Sequence, residues 1–293
     1  MDSWAVIDVG TNSVRLLVAE VRNGKVITIA RQIDSTRLGE GLYHDWLLKQ
    51  PALRRTASAV SRFIREAQNL GVSGIAIVAT SAARDALNRA ELSMVIEKET
   101  GYALEVLSGN QEAGLSFLGA TSSFSCLPDP VVLDIGGGST ELVYRNKEGT
   151  IDSLSLKLGA VRCTELGMGC QEIRDQLWPS LEHLAARQGL VGVGGTITSL
   201  AAMEQELTCY DPELVHGFVL GLATIKKWRY RLAGMSMEAR QQVKGLQPAR
   251  ADIMPAGLAI LEGVMDGLQV NCVTVSEADL LEGLVLSLAG YSF

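Results

Sequence analysis

The sequence reads as an α/β protein built from two similar halves, and three observations predict this. A six-residue phrase occurs twice, as Asp8-Val-Gly-Thr-Asn-Ser13 and as Asp134-Ile-Gly-Gly-Gly-Ser139. Each copy is led in by an apolar run, Ala5-Val6-Ile7 or Val131-Val132-Leu133, and each opens a stretch of three strand patterns followed by alternating helix and strand patterns. A third glycine turn, Gly192-Val-Gly-Gly-Thr196, has the same look. At 293 residues the chain is long for one domain and comfortable for two.

The first half begins with apolar runs at Trp4–Val9, Val14–Val21 and Lys25–Ile33. Very short turns join them, one being Asn23-Gly24, a strong hairpin signal. Pro51 suits the first turn of a helix running to about Asn69, where Ala52, Ala59, Val60, Phe63, Ile64 and Ala67 form a stripe and Gly71 is a stop. Gly74–Thr80 reads as a strand, Ala83–Glu99 as one helix and Ala103–Leu107 as a short strand. A helix follows with Ser108 as its cap and Gln111 at capping-box spacing.

Thr121–Pro130, Ser-rich with two prolines, is the linker. The pattern then restarts with strands at Val131–Ile135, Glu141–Tyr144 and Ile151–Leu158, a strand at Leu190–Val193 and a helix from about Ile197 to Leu207. Residues 215–268 read mainly as helix, before a last strand at Cys272–Val275 and a last helix at Leu280–Ala289. Three strands, then helix and strand in alternation, repeated: this is ribonuclease-H-like or actin-like topology in duplicate. The expected domains are 1–121 and 122–293, with a cleft between them and the last helix packing back on the first domain.

Composition excludes several classes. The first 120 residues carry 13 basic and 13 acidic side chains, and the rest 13 and 20, so the net charge of −7 sits wholly in the second half. That argues against nucleic-acid binding, which wants a basic face, but leaves room for a polyanion gripped by a local cation cluster. No window approaches the ~18 apolar residues of a membrane span, and the start lacks a basic segment with an apolar core, so no signal peptide and no membrane partner are expected. Five cysteines form no CxxC pair, which fits a reduced cytoplasm. His44, His183 and His216 show no ligand spacing, so zinc is not expected.

The repeated phrase carries the chemistry. A glycine turn after a strand lets backbone N–H groups approach phosphate oxygens. Gly10, Thr11, Asn12 and Ser13 in the first turn, Gly136, Gly137, Gly138, Ser139 and Thr140 in the second, and Gly194, Gly195 and Thr196 in the third are the phosphate-binding candidates. An Asp at the strand end can hold Mg²⁺, a role open to Asp8 and Asp134. Glu141 is a further metal or water-shell carboxylate, and internal alignment sets Arg15 in its place in the first copy. Arg15, Arg37 and Arg84 suit phosphate oxygens, which guanidinium forks match bidentately. Lys226–Arg231, the densest basic run, could be a track for a phosphate chain beyond the cleavage point, but the favoured reading is a solvated helix face with its aromatics packed inward.

Taken together, the motifs resemble the exopolyphosphatase / guanosine pentaphosphate phosphatase (Ppx/GppA) family, in a short two-domain form. The resemblance rests on Asp8–Leu16, Thr36–Gly41, Ala79–Ala86, Leu107–Ala113, Asp134–Val143, Gly192–Ala202, Pro248–Ile253 and Val275–Glu277, and so covers nearly the whole chain. It implies an actin-like fold of the sugar kinase, heat-shock chaperone and actin (ASKHA) superfamily. It implies Mg²⁺-dependent hydrolysis of terminal orthophosphate from polyphosphate, other divalent ions being admissible, or from guanosine pentaphosphate. It also implies that Glu112 orients or deprotonates the attacking water and that the protein forms a homodimer; Asp134 and Glu141, the metal-site candidates read above, are the other catalytic candidates. One departure stands out: where relatives have Gly and Arg in the segment after Ser276-Glu277, this chain has Asp279 and Leu281. Two other classes compete, an actin-like kinase and a nucleotide-binding regulator with little catalysis. The first lacks an acceptor-site motif, and the altered segment is the only support for the second.

Overall fold

The three opening apolar runs form an antiparallel meander of β1 (Ser3–Val9), β2 (Val14–Arg22) and β3 (Lys25–Asp34). Asn23 and Gly24 both take positive φ, the condition for a two-residue turn that matches strand twist. This computed structural model describes residues 2–124, 130–184 and 189–291. After α1 (Leu42–Asp45) comes the amphipathic α2 (Gln50–Asn69), burying Leu53, Ala57, Val60, Phe63, Ile64 and Ala67. Then β4 (Gly74–Ala79) pairs parallel to β1, giving the order β3-β2-β1-β4-β5 once β5 (Glu105–Val106) is added.

The single helix expected over 83–99 is instead two, α3 (Ser81–Asp85) and α4 (Arg89–Thr100). Ala86 turns extended between them. The loop before α2 takes over the broken turn: Leu87 N–H donates to Trp46 O at 2.9 Å, and the Asn88 side chain exchanges two bonds with the Leu48 backbone. These tertiary bonds outcompete helix propensity. The strand expected over 103–107 shrinks to two residues. The helix α5 (Gly109–Ser122) starts on the expected capping box, with Ser108 and Gln111 exchanging side-chain and backbone bonds.

The second unit repeats the meander as β6 (Val131–Ile135), β7 (Thr140–Arg145) and β8 (Ile151–Leu156). There follow α6 (Ala160–Glu165), α7 (Cys170–Leu181), β9 (Leu190–Val193), α8 (Gly195–Glu204), α9 (Pro212–Val215) and β10 (Val219–Gly221). The unit closes with α10 (Leu222–Ala233), α11 (Met237–Gln241), α12 (Met254–Leu268) and β11 (Cys272–Val275). Its sheet runs β10-β11-β9-β6-β7-β8, with β9 parallel to β6 and to β11. Three residues long and inside a stretch that reads as helix, β10 exists through its antiparallel pairing with β11, which no local pattern announces. The helix α12 is apolar nearly all round and buried accordingly.

The final helix, α13 (Leu280–Leu288), belongs with the first unit, so the chain divides into Met1–Ser123 with Leu280–Phe293, and Phe124–Asp279. Leu280, Leu281, Leu284 and Val285 join Val6, Leu17, Val78 and Leu107 in one core. Gly283 lies so close to the Leu115 backbone that a side chain there would overlap its carbonyl, so α13 packs tightly on α5. Leu281, at the place of the relatives' Arg, is fully buried in this core. Of the linker expected at 121–130, residues 125–129 lie outside the described residues, as does Cys126. Among the described residues no helix is long and apolar enough to cross a membrane. Each unit therefore carries the ribonuclease-H-like topology expected, an antiparallel meander continued by parallel strands.

Candidate functional site

The two copies of the repeated phrase fold alike. Gly10 N–H donates to Ser13 O and Gly136 N–H donates to Ser139 O, each at 3.0 Å, closing the same four-residue turn between antiparallel strands. In the first copy, Gly39 N–H donates to Thr11 O at 2.8 Å and Arg37 N–H to Asn12 O at 2.9 Å. A side chain at Gly39 would overlap Thr11, so only glycine allows this approach. In a trans peptide the carbonyl and the next N–H point in opposite directions. With the carbonyls of Thr11 and Asn12 turned to the 37–39 loop, the N–H groups of Asn12 and Ser13 point away from it. Arg37, at φ 51°, thus meets the first turn through its backbone.

Strand register decides what faces what across each hairpin. In the first unit it sets Asp8 opposite Arg15. Arg15 donates from Nε at 3.0 Å and from Nη2 at 2.7 Å, both to Asp8 Oδ2. The predicted metal ligand Asp8 and the predicted phosphate clamp Arg15 are therefore a partly buried ion pair. Elsewhere in this unit, Arg84 on α3 donates from Nη1 to Glu112 Oε2 and, at 3.1 Å, to Leu107 O. The capping box fixes the start of α5, and Glu112, buried in its first turn, is held from the side by Arg84. Sequence reasoning treated Arg84 and Glu112 as separate candidates; the fold brings them together.

In the second unit the register sets Asp134 opposite Glu141, two carboxylates where the first copy has an anion and a cation. Glu141 is 1% exposed, and its Oε1 accepts from Ser155 Oγ at 3.0 Å across to β8. Like charges opposite one another on a strand pair are destabilising without a cation to share. Among the described residues no group of three or more His, Cys, Asp or Glu side chains is arranged to hold a metal. Mg²⁺ does not need such a cage, since it commonly takes one or two carboxylates and completes its shell with water and substrate phosphate. Asp134 and Glu141 fit that donor set. Asp8, engaged by Arg15, fits it less well.

The glycines of the second turn are held from behind. Ala160 N–H donates to Gly136 O at 2.9 Å, and Val161 and Arg162 N–H donate to Gly137 O at 2.8 and 3.0 Å. The buried Arg162 adds Nε–H to Gly138 O at 2.7 Å. By the same peptide geometry, the N–H groups of Gly137, Gly138 and Ser139 point away from α6 as a row of donors of the kind that binds anions. Thr140, expected as another hydroxyl for phosphate, instead donates Oγ1–H to Leu158 O at 2.6 Å, because its strand position turns it into the sheet.

The third turn lies beside Asp134: a side chain at Gly194, at φ 88°, would come 2.9 Å from Asp134 Oδ1. Gly195 is covered by the Arg250 guanidinium, which a side chain there would overlap. Thr196 is buried against Gly257. Tyr210 donates its hydroxyl to Glu277, and burial together with that carboxylate holds the phenol above its ordinary pKa. Glu277 N–H donates to His216 Nδ1 at 3.2 Å, and burial pushes the His216 pKa down.

Sequence reasoning missed Gly39, Arg162, Arg250 and the Tyr210–Glu277 pair as site components. Arg250 and Glu277 lay inside quoted motifs, so a signal existed; Arg162 had none. The basic run on α10 divides differently from its reading. Trp228 and Arg229 are buried, Arg229 pairing with Glu262, while Tyr230 is turned out to solvent. Helical spacing of about 100° per residue sets Trp228 and Tyr230 about 200° apart, so the two aromatics cannot share the inward face.

Comparison with known proteins agrees with this architecture. Residues 17–292 match the Ppx/GppA phosphatase family. The chain is 34% identical to exopolyphosphatase 2 of Mycobacterium tuberculosis over 98% of each protein. It superposes on the Aquifex aeolicus Ppx/GppA family member with a TM-score of 0.82 at 30% identity, covering 99% of both chains. On an exopolyphosphatase from Cytophaga hutchinsonii the TM-score is 0.87 at 25% identity, covering 98% of this chain and 97% of that one. The chain belongs to the Ppx/GppA phosphatase family and is, with it, a phosphoanhydride hydrolase.

Proposed function

We propose that the protein is a divalent-dependent exopolyphosphatase, releasing orthophosphate from the end of inorganic polyphosphate. The observation that carries this reading is the second turn: a row of backbone donors beside two cross-strand carboxylates, Asp134 and Glu141. Phosphoryl transfer needs positioning and charge stabilisation more than covalent chemistry. In this reading the N–H groups of Gly137, Gly138 and Ser139, with those of Asn12 and Ser13, bind phosphate oxygens. Asp134 and Glu141 would hold Mg²⁺, which would supply charge neutralisation for the phosphoryl oxygens. Glu112, oriented by Arg84, accepts a proton from the attacking water. The new O–P bond forms as the bridging P–O bond breaks, and the shortened chain leaves as a phosphate anion.

The exopolyphosphatase name of the 34% identical relative supports polyphosphate as substrate. The test is phosphate release from short and long polyphosphate, guanosine pentaphosphate and ATP with Mg²⁺. Release from polyphosphate is expected, with Glu112→Gln reducing kcat by about 10²–10⁴-fold. Release from guanosine pentaphosphate alone would reassign the substrate, and unchanged turnover in Glu112→Gln would remove Glu112 from the mechanism.

A further inference from the structure

We propose that Arg162 is a positioning residue that locks the second glycine turn in its phosphate-accepting orientation. Arg162 is 4% exposed, an expensive place for a charged side chain. Its two bonds to the turn give it a purpose. The backbone N–H holds Gly137 O at 3.0 Å and the side-chain Nε–H holds Gly138 O at 2.7 Å. One residue thereby fixes two successive peptide planes from two directions.

The Gly138–Ser139 peptide needs that grip. Its carbonyl meets the side chain of Arg162, whereas the Gly136 and Gly137 carbonyls are held by backbone N–H groups. Glycine resists rotation of its peptide planes less than any other residue. If that plane turned over, a carbonyl oxygen would face the phosphate in place of the Ser139 N–H, exchanging a donor for a repelling acceptor. The close approach of the α6 segment completes the mould: a side chain at Gly159 would come 2.5 Å from the Gly137 carbonyl. The Asp134–Glu141 pair lies across the β6–β7 hairpin and is set by strand register, so it does not depend on Arg162.

The inference rests on the phosphate-binding part of the proposed function, and its test separates the two. Pyrophosphate and Mn²⁺ binding are each measured by calorimetry, in separate titrations, on the wild type, Arg162→Met, Arg162→Lys and Gly159→Ala. Arg162→Met is expected to weaken pyrophosphate binding about tenfold, the scale of one lost charge-assisted bond, with Mn²⁺ binding within about twofold of wild type. Arg162→Lys should fall between the two, and Gly159→Ala should follow Arg162→Met with Arg162 still present. In turnover the loss should appear in KM more than in kcat, because the turned-over peptide only depletes the binding-competent population. Pyrophosphate affinity within twofold of wild type in Arg162→Met, or equal loss of both ligands, would overturn the proposal. Should Arg162→Met fail to fold, Arg162→Lys and Gly159→Ala carry the same contrast. A wild-type protein that binds pyrophosphate but releases no phosphate from polyphosphate would sink the exopolyphosphatase reading and leave this one standing. A wild type that does not bind pyrophosphate would sink this one.

Discussion

The first and second turns are nearly the same backbone with opposite chemistry across the hairpin. Each closes through a 3.0 Å bond from its first glycine to its serine, and each has carbonyls turned to a following segment. The partner opposite the strand-end Asp is Arg15 in one and Glu141 in the other. One residue per hairpin thus sets an anion–cation pair in the first copy against two facing carboxylates in the second. A repeat can preserve a fold while changing the chemistry at equivalent positions, with charge rather than shape as the variable.

The largest expected effect falls on the second copy. Glu141→Gln should lower kcat by about 10³-fold and blunt the dependence on divalent ion, since metal-held charge stabilisation is commonly worth several kcal/mol. Kinetics against Mg²⁺ concentration would show it. If the variant kept wild-type turnover and metal dependence, the two copies would not differ as argued.

In the first copy the effect should be smaller and of another kind. Arg15→Met strips Asp8, 4% exposed, of a two-bond partner. We expect a stability loss of about 1–3 kcal/mol and about a tenfold rise in KM, with metal dependence unchanged. Denaturant titration and steady-state kinetics measure both. A change in metal requirement would mean that Asp8 is also a ligand.

How far the sequence foresaw this division follows from what is local. The turns, the three-strand openings and the capping box at Ser108 were legible because each depends on residues adjacent in the chain. The correspondence of Arg15 with Glu141 was also legible, because register follows from a hairpin of fixed length. Asp8–Arg15 was not read as a pair, although the hairpin register sets the two opposite each other; the Arg84–Glu112 pair was not read as one either, since packing of separate elements sets it. The break at Ala86 was hidden for the same reason: its cause is a loop some 40 residues earlier. Arg162 and β10 depend wholly on partners distant in sequence.

The smallest effect concerns the edge of the second unit, which has no equivalent at the first turn. His216 accepts from Glu277 N–H, stacks on Phe124, and has a pKa held below its ordinary 6.5 by burial. The unfolded chain therefore takes up the proton first, so the stability linked to His216 is present above pH 6.5 and is lost as pH falls towards the folded pKa. Thermal melts from pH 7.5 to 5 should show a decline that is shallower in His216→Phe. Identical slopes would remove His216 from the account.

The unequal division of the two turns is tested most directly by Mn²⁺ binding, followed by electron paramagnetic resonance on the wild type, Glu141→Gln and Arg15→Met. The account predicts one site per chain in the wild type, retained in Arg15→Met and lost in Glu141→Gln. Binding that survives in Glu141→Gln and disappears in Arg15→Met would contradict it.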